Sequence, residues 1–443
     1  MNDGGRSGAG TLAGALALLL ATAAALVASA TVGEPETERQ RVAAAEPTPE
    51  AIEREARRLT PRVARRVERI RGLKFERVPR PRVVTGEQFA AITAREADRQ
   101  PGLSRRLAED EATARLLGLM TPSEQLDTLA GGAPDLAAAA WDTRRERLYV
   151  IADASGEDVA LLEFLLSHEL EHALSDQRFG LPEPKGVGDD AVLARLALIE
   201  GSATAVMIEY AARHLNPFAL GAATAGLDPG TEGVPRFFVE SLTWAYLRGA
   251  AFVGALREAG RGWAEVDAAL ERPPVSTEQV LHPQAFLRDE RPQPVTPEVV
   301  ALRGRGWTVV GRGELGEFTT AQLLRLAAPR PVAAVAARGW GGDGYVLLAR
   351  EPGAAGCERD CRRTRVLVVE WRWDSAPEAR EFRRALPAYL VGGLGAAPRD
   401  AAGWALGGAW IASASSRETV RLAFAPRQRL ARLAAGGAGD GAR

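Results

Sequence analysis

The stretch from Leu166 to Gln177 reads L-S-H-E-L-E-H-A-L-S-D-Q, and it constrains this chain more than any other. The residues before it, E-D-V-A-L-L-E-F-L, contain no Gly or Pro, and their apolar positions recur at helical spacing. That pattern predicts a helix over about 157–179. Only four histidines occur in 443 residues, and two of them stand four apart here. For this composition chance supplies about 0.005 copies of His-acid-x-x-His.

Residues four apart share one face of a helix. His168 and His172 can therefore aim ring nitrogens at one ion, at about 2.0–2.1 Å for zinc. Glu169 is offset by about 100°, within reach of a water at the metal without being a ligand. Glu171 points about 200° away from Glu169, as a surface or pairing residue.

Two histidines do not complete a site, because a catalytic zinc usually takes three protein ligands. No third histidine lies close by, since His214 is 42 residues on. A second helix is predicted from about Asp190 to His214, and it carries Glu200 inside an apolar run. A buried carboxylate is costly unless paired or bound to metal, so Glu200 is the candidate third ligand. The competing reading pairs it with a buried arginine such as Arg195. Gly201, Ser202 and Ala203 are small enough to let this helix approach the first one closely. Glu209 falls about 180° around the helix from Glu200 and cannot share its target.

H-E-x-x-H on one helix with a glutamate on the next resembles the gluzincin metallopeptidases, the thermolysin-like zinc hydrolases. More closely, H-E-L-E-H-A-L-S-D-Q, A-L-I-E-G-S-A-T and S-T-E-Q-V-L-H-P resemble a family of exported bacterial zincin-like proteins. That family's usual pattern is HELTHALQDQ, then EGxAT, then STEQxLHP, and the likeness spans about 75–290. This chain departs at Glu171, where Thr is usual, and at Ser175, where Gln is usual.

The resemblance implies one zinc ion held by His168, His172 and Glu200, with Glu169 as general base. Asp176 would either orient an imidazole through its other N–H or begin the turn after the helix. His282 is the leading donor to a developing oxyanion, with a core or surface histidine as the plain alternative; Tyr210 is the second candidate. Ser276 to Gln279 also reads as a capping box for a short helix. The function implied is an exported zinc metallopeptidase acting on a peptide or protein substrate. The alternative is a zincin-like module for binding or envelope assembly with little or no hydrolysis.

Composition narrows the rest. A net charge of −1 argues against a general nucleic-acid binder. Lys74 and Lys185 are the only lysines, and the other 54 basic residues are arginine, which reads as codon bias rather than phosphate recognition. Thr11 to Ala30 carries no charge and ends in an A-x-A pattern. Residues 1–30 are therefore expected to be a signal peptide or an N-terminal membrane anchor. Cys357 and Cys361 lack further soft ligands nearby, and in an exported chain they are expected to close a small disulfide.

The fold expected is α+β: a zincin-like, mainly helical catalytic domain with a small sheet over 73–292, then a C-terminal α+β domain over 293–433. Residues 31–72 read as a linker and an Arg-rich helix, broken at Pro61, with a solvated face. A hairpin is expected near 137–152. After residue 300, W-T-V-V, G-Y-V-L-L-A and R-V-L-V-V-E-W-R-W read as strands around an aromatic core, with six of the nine tryptophans there. Residues 434–443 read as a disordered tail.

Overall fold

The computed structural model describes residues 48–100, 102–126, 138–155, 158–181, 188–224, 233–350, 357 and 361–436. The expected signal or anchor at 1–30, most of the linker, and the tail beyond 436 lie outside the described residues.

Helix α1, Pro49–Arg71, starts at an N-cap Thr48 whose hydroxyl accepts from Ala51 N, and stops at Gly72 with φ 71. It runs unbroken through Pro61, contrary to the sequence expectation. Proline removes one backbone donor, the one that would serve the Arg57 carbonyl. Ile52, Ala56, Leu59, Val63, Val67 and Ile70 are buried along one stripe. Packing of that stripe offsets the proline penalty. The solvated face is there, carrying Arg54, Arg57, Arg58, Arg65 and Arg69, while Arg62, Arg66 and Arg71 turn to carboxylates.

A three-stranded sheet follows, with order β1-β3-β2. Strand β1, Pro81–Val84, runs parallel to β3, Arg147–Ile151, and β2, Ala139–Asp142, pairs antiparallel with β3 as the expected hairpin. Helices α2, Gly86–Asp98, and α3, Leu103–Leu116, lie between β1 and β2 in sequence. Helix α4, Val159–Phe179, begins at Asp158, whose carboxylate accepts from Leu161 N at 2.9 Å. All its residues from Leu161 to Ser175 are buried, so α4 is a core helix rather than a surface one.

Helix α5, Asp189–His214, packs beside α4, and α7, Arg236–Ala259, runs along α5; α6, Pro217–Thr224, lies between them in sequence. α5 is long and apolar enough to cross a membrane, but its apolar stretch is mostly buried among these neighbours. The closest approach lies between α5 and α7. A Cβ on Gly201 would stand 2.2 Å from the Gly249 backbone, and one on Gly249 would stand 1.9 Å from the Ala197 carbonyl. Gly201 thus serves the contact with α7, whereas Ser202 faces α4. Helices α8, Trp263–Glu271, and α9, Thr277–Leu281, complete this half. The capping box reading of α9 holds in part: Ser276 Oγ accepts from Gln279 N at 3.3 Å.

The C-terminal half is a seven-stranded antiparallel sheet of order β4-β5-β6-β10-β9-β8-β7. The strands expected from sequence are β4, Thr308–Gly313, β5, Trp340–Ala349, and β6, Arg365–Trp373. Four more, β7 to β10, span Ala397–Asp400, Gly403–Leu406, Ala409–Ser415 and Thr419–Ala425. Strands β5 and β6 are buried on both faces, so they read as continuous apolar runs. One face packs Trp340, Trp371, Trp373 and Leu367 against α10, Gly316–Arg325, and α11, Ala376–Ala388. Ala112, Leu116 and Leu117, at the end of α3, join this same core. The other face carries Val346, Val368 and Ala423 under Trp307 and α12, Gln428–Ala434. Ala434 and Ala435, placed in the disordered tail by the sequence reading, are buried there. The whole is α+β. Cys357 and Cys361 are disulfide-bonded.

Candidate metal centre

α4 and α5 bring three side chains to one point. His168 Nε2 lies 3.0 Å from His172 Nε2 and 3.2 Å from Glu200 Oε2. His172 Nε2 lies 3.5 Å from the same Glu200 oxygen. Three ligands at about 2.1 Å from a tetrahedral zinc would be spaced by roughly 3.4 Å, so the triangle fits such an ion. His168, His172 and Glu200 therefore form a buried cluster able to hold a metal ion. His168 Nδ1 and Glu200 Oε1 are buried without a hydrogen-bond partner among the described residues. The alternative pairing of Glu200 with Arg195 is not seen, and Glu200 turns to the imidazoles instead.

The electrostatics follow from burial. Desolvation opposes charge on His172, but the Glu200 carboxylate outweighs it and raises the imidazole to about 9. Desolvation likewise opposes charge on Glu200, and the two histidines outweigh it, holding the carboxyl near 2. Glu169 is 2 % exposed, and burial raises its carboxyl above the ordinary range despite both imidazoles. Its carboxylate accepts from the Trp141 backbone on β2, while Oε2 has no partner.

Three candidates fall elsewhere. Asp176 binds no imidazole: its Oδ2 accepts from Trp141 Nε1 at 2.8 Å and its Oδ1 from Leu181 N at 2.9 Å. It therefore fixes the hairpin and the turn after α4. His282 caps α9, and its Nε2 sits 3.0 Å from both oxygens of Glu317 on α10, so it is held by the C-terminal half. Tyr210 lies ten residues beyond Glu200 on α5, about 15 Å along the axis. Its hydroxyl donates to Glu163 at 2.5 Å and accepts from Arg66 at 2.9 Å.

Glu171 pairs, as one of its two readings held, but it is 1 % exposed and not on the surface. Its Oε1 accepts from Arg71 at 3.1 Å, Ser175 at 2.7 Å and Ser202 at 2.6 Å. The two positions where the motif departs from its usual pattern thus touch each other.

Sequence reasoning missed Tyr246 and Trp141. The Tyr246 ring on α7 stacks on His168, with centroids 5.7 Å apart and planes 11° from parallel. No motif surrounds it, and only the Gly201–Gly249 approach brings it there. Trp141 had a local signal, an apolar tract opening a hairpin, but nothing in sequence joins it to its partners Glu169 and Asp176 on α4.

Residues 307–434, which make up the C-terminal sheet and its helices, match a family described as a domain of unknown function (DUF8575). No curated protein matches the chain. Among solved structures the chain is similar to "a putative hydrolase with a novel fold from Chloroflexus aurantiacus". The identity is 18 % and the TM-score 0.36, over 64 % of this chain and 98 % of that one, a likeness too distant to define a shared fold.

Proposed function

We propose that the chain is a zinc-dependent peptidase of gluzincin type, exported by its apolar N-terminal segment. The observation that carries the reading is one convergence. Three ligand atoms from two neighbouring helices lie within 3.5 Å of one another, with a buried, half-unpartnered carboxylate next in sequence to the first. When bound, zinc supplies Lewis-acid polarisation of a carbonyl and of water. Glu169 accepts the proton of the attacking water and returns it to the leaving amine. Its raised affinity for a proton suits both steps. The Trp141 N–H orients that carboxylate, and Tyr246 fixes the plane of the His168 ring.

The test is metal content and peptide turnover of the purified chain, with Glu169→Gln beside it. Stoichiometric zinc in both proteins, with turnover lowered about 10²- to 10⁴-fold in the variant, is expected. A wild-type protein that takes up no zinc ends the proposal.

One observation favours a second reading. His168, His172, Glu169 and Glu200 are all 3 % exposed or less, which suits a metal that clamps α4 to α5 without turnover. Zinc that raises the melting temperature while a diverse peptide library stays uncut would select this reading.

A further inference from the structure

In the C-terminal half, a surface pocket of about 420 Å³ opens where β4, β6 and α12 meet. Arg350, Arg363, Arg365 and Arg427 line it, together with Trp307 and Leu430. No Asp or Glu is among its described lining residues. The chain has 57 acidic residues for 56 basic ones, and arginines elsewhere find a carboxylate, as Arg236, Arg325 and Arg432 do. Around this pocket Arg350 and Arg427 are exposed, and neither makes an ion pair among the described residues.

The pocket is built rather than a chance meeting of loose side chains. Arg350 lies over the Trp307 ring, its guanidinium carbon 5.4 Å from the centroid, an arrangement that orders the fork. Trp307 is buried, and its indole N–H has no partner among the described residues. Arg365 is buried at the root of β6. Glu109 lies near Arg365, but Arg350 and Arg427 line the pocket without an ion pair among the described residues, which favours a negative ligand between them. Guanidinium forks match the paired oxygens of phosphate, and Leu430 offers an apolar wall for whatever carries it.

We propose that this pocket binds a ligand of the di- or polyphosphate class. The site is independent of the metal centre and gives the sheet domain a binding role of its own. The ligand is either a small free phosphate compound or a stretch of a phosphate-rich polymer, and both present the same oxygens.

The experiment is calorimetric titration of the full chain with inorganic pyrophosphate and with long-chain polyphosphate, at low and at raised salt. Arg350→Ala/Arg427→Ala removes two exposed pocket arginines. Arg57→Ala/Arg380→Ala removes the same charge from exposed helix positions elsewhere. Saturable binding that weakens at least tenfold in the pocket variant and stays within twofold in the control supports the proposal. Equal pyrophosphate and polyphosphate affinity per site indicates a small ligand, and much tighter polyphosphate binding indicates a polymer. No saturable binding by the wild type, or equal losses in both variants, overturns it.

Discussion

His168, His172 and Glu200 gain their chemistry from being buried together, whereas Tyr210 and His282 show how the same residue types serve packing. Tyr210 is completely buried and is spoken for by Glu163 and Arg66. On the proposed peptidase reading, Tyr210→Phe should therefore leave peptide turnover unchanged and cost about 0.5–1.5 kcal/mol in urea unfolding. A variant with normal stability and lost turnover would place Tyr210 in the reaction after all. Tyr246 predicts the opposite pattern. Tyr246→Leu keeps most of the apolar bulk but removes the ring over His168. It should shift the visible spectrum of the cobalt-substituted protein, a change Tyr210→Phe should not cause.

Between elements, the centre depends on contacts one layer behind the ligands. Glu171 joins α4 to α1 through Arg71 and to α5 through Ser202, two residues past Glu200. Arg71 is fully buried, also meets Asp267, and stacks on Trp263 at 4.3 Å. Arg71→Met leaves Glu171 buried without its cation and should cost about 3–5 kcal/mol. Arg71→Met/Glu171→Leu, which removes both charges, should recover most of that loss in chemical denaturation. An additive double variant would mean that the pair is not coupled. The α5–α7 crossing is equally tight. Gly201→Ala would drive a methyl into the Gly249 backbone and push α7 outward. Weaker zinc binding is the expected outcome, measured by competition with a chelator.

Across the whole molecule, the helical and sheet halves meet at an acidic seam. Thr277 on α9 donates through its N–H and its hydroxyl to Asp190 on α5, and Asp343 on β5 accepts from Leu315 and Gly316 at the start of α10. Burial raises Asp343 to about 7, and burial with neighbouring acids raises Glu278 to about 9. The folded protein thus holds these protons more tightly than the unfolded chain does. Their stabilising contribution is complete below the ordinary carboxyl range and is lost as pH rises through 7 and then 9. Glu278→Gln keeps the shape without the proton. It should gain on the wild type progressively as pH rises from about 5 to about 9, by about 1 kcal/mol or more, or about 2–4 °C in melting temperature, and level off above that. A gap that stays constant from pH 5 to 9 would mean that Glu278 does not titrate in the seam.

The sequence by itself determined the helices that carry the candidate ligands, the candidacy of Glu200, the disulfide pair and the first three strands of the large sheet. Each of these is written in contiguous residues, as a 3.6- or 2-residue period, a spacing of four, or a buried charge in an apolar run. Strands β7 to β10 escaped notice because their glycines, prolines and short runs weaken that period. Only the tertiary structure decided the partners. Arg71 meets Glu171 across 100 residues, Tyr246 on α7 meets His168 on α4, and His282 turns to Glu317 in the other half. Such contacts depend on how whole elements pack. A run of arginines or a lone histidine looks the same in sequence whether it faces water, a carboxylate or a metal.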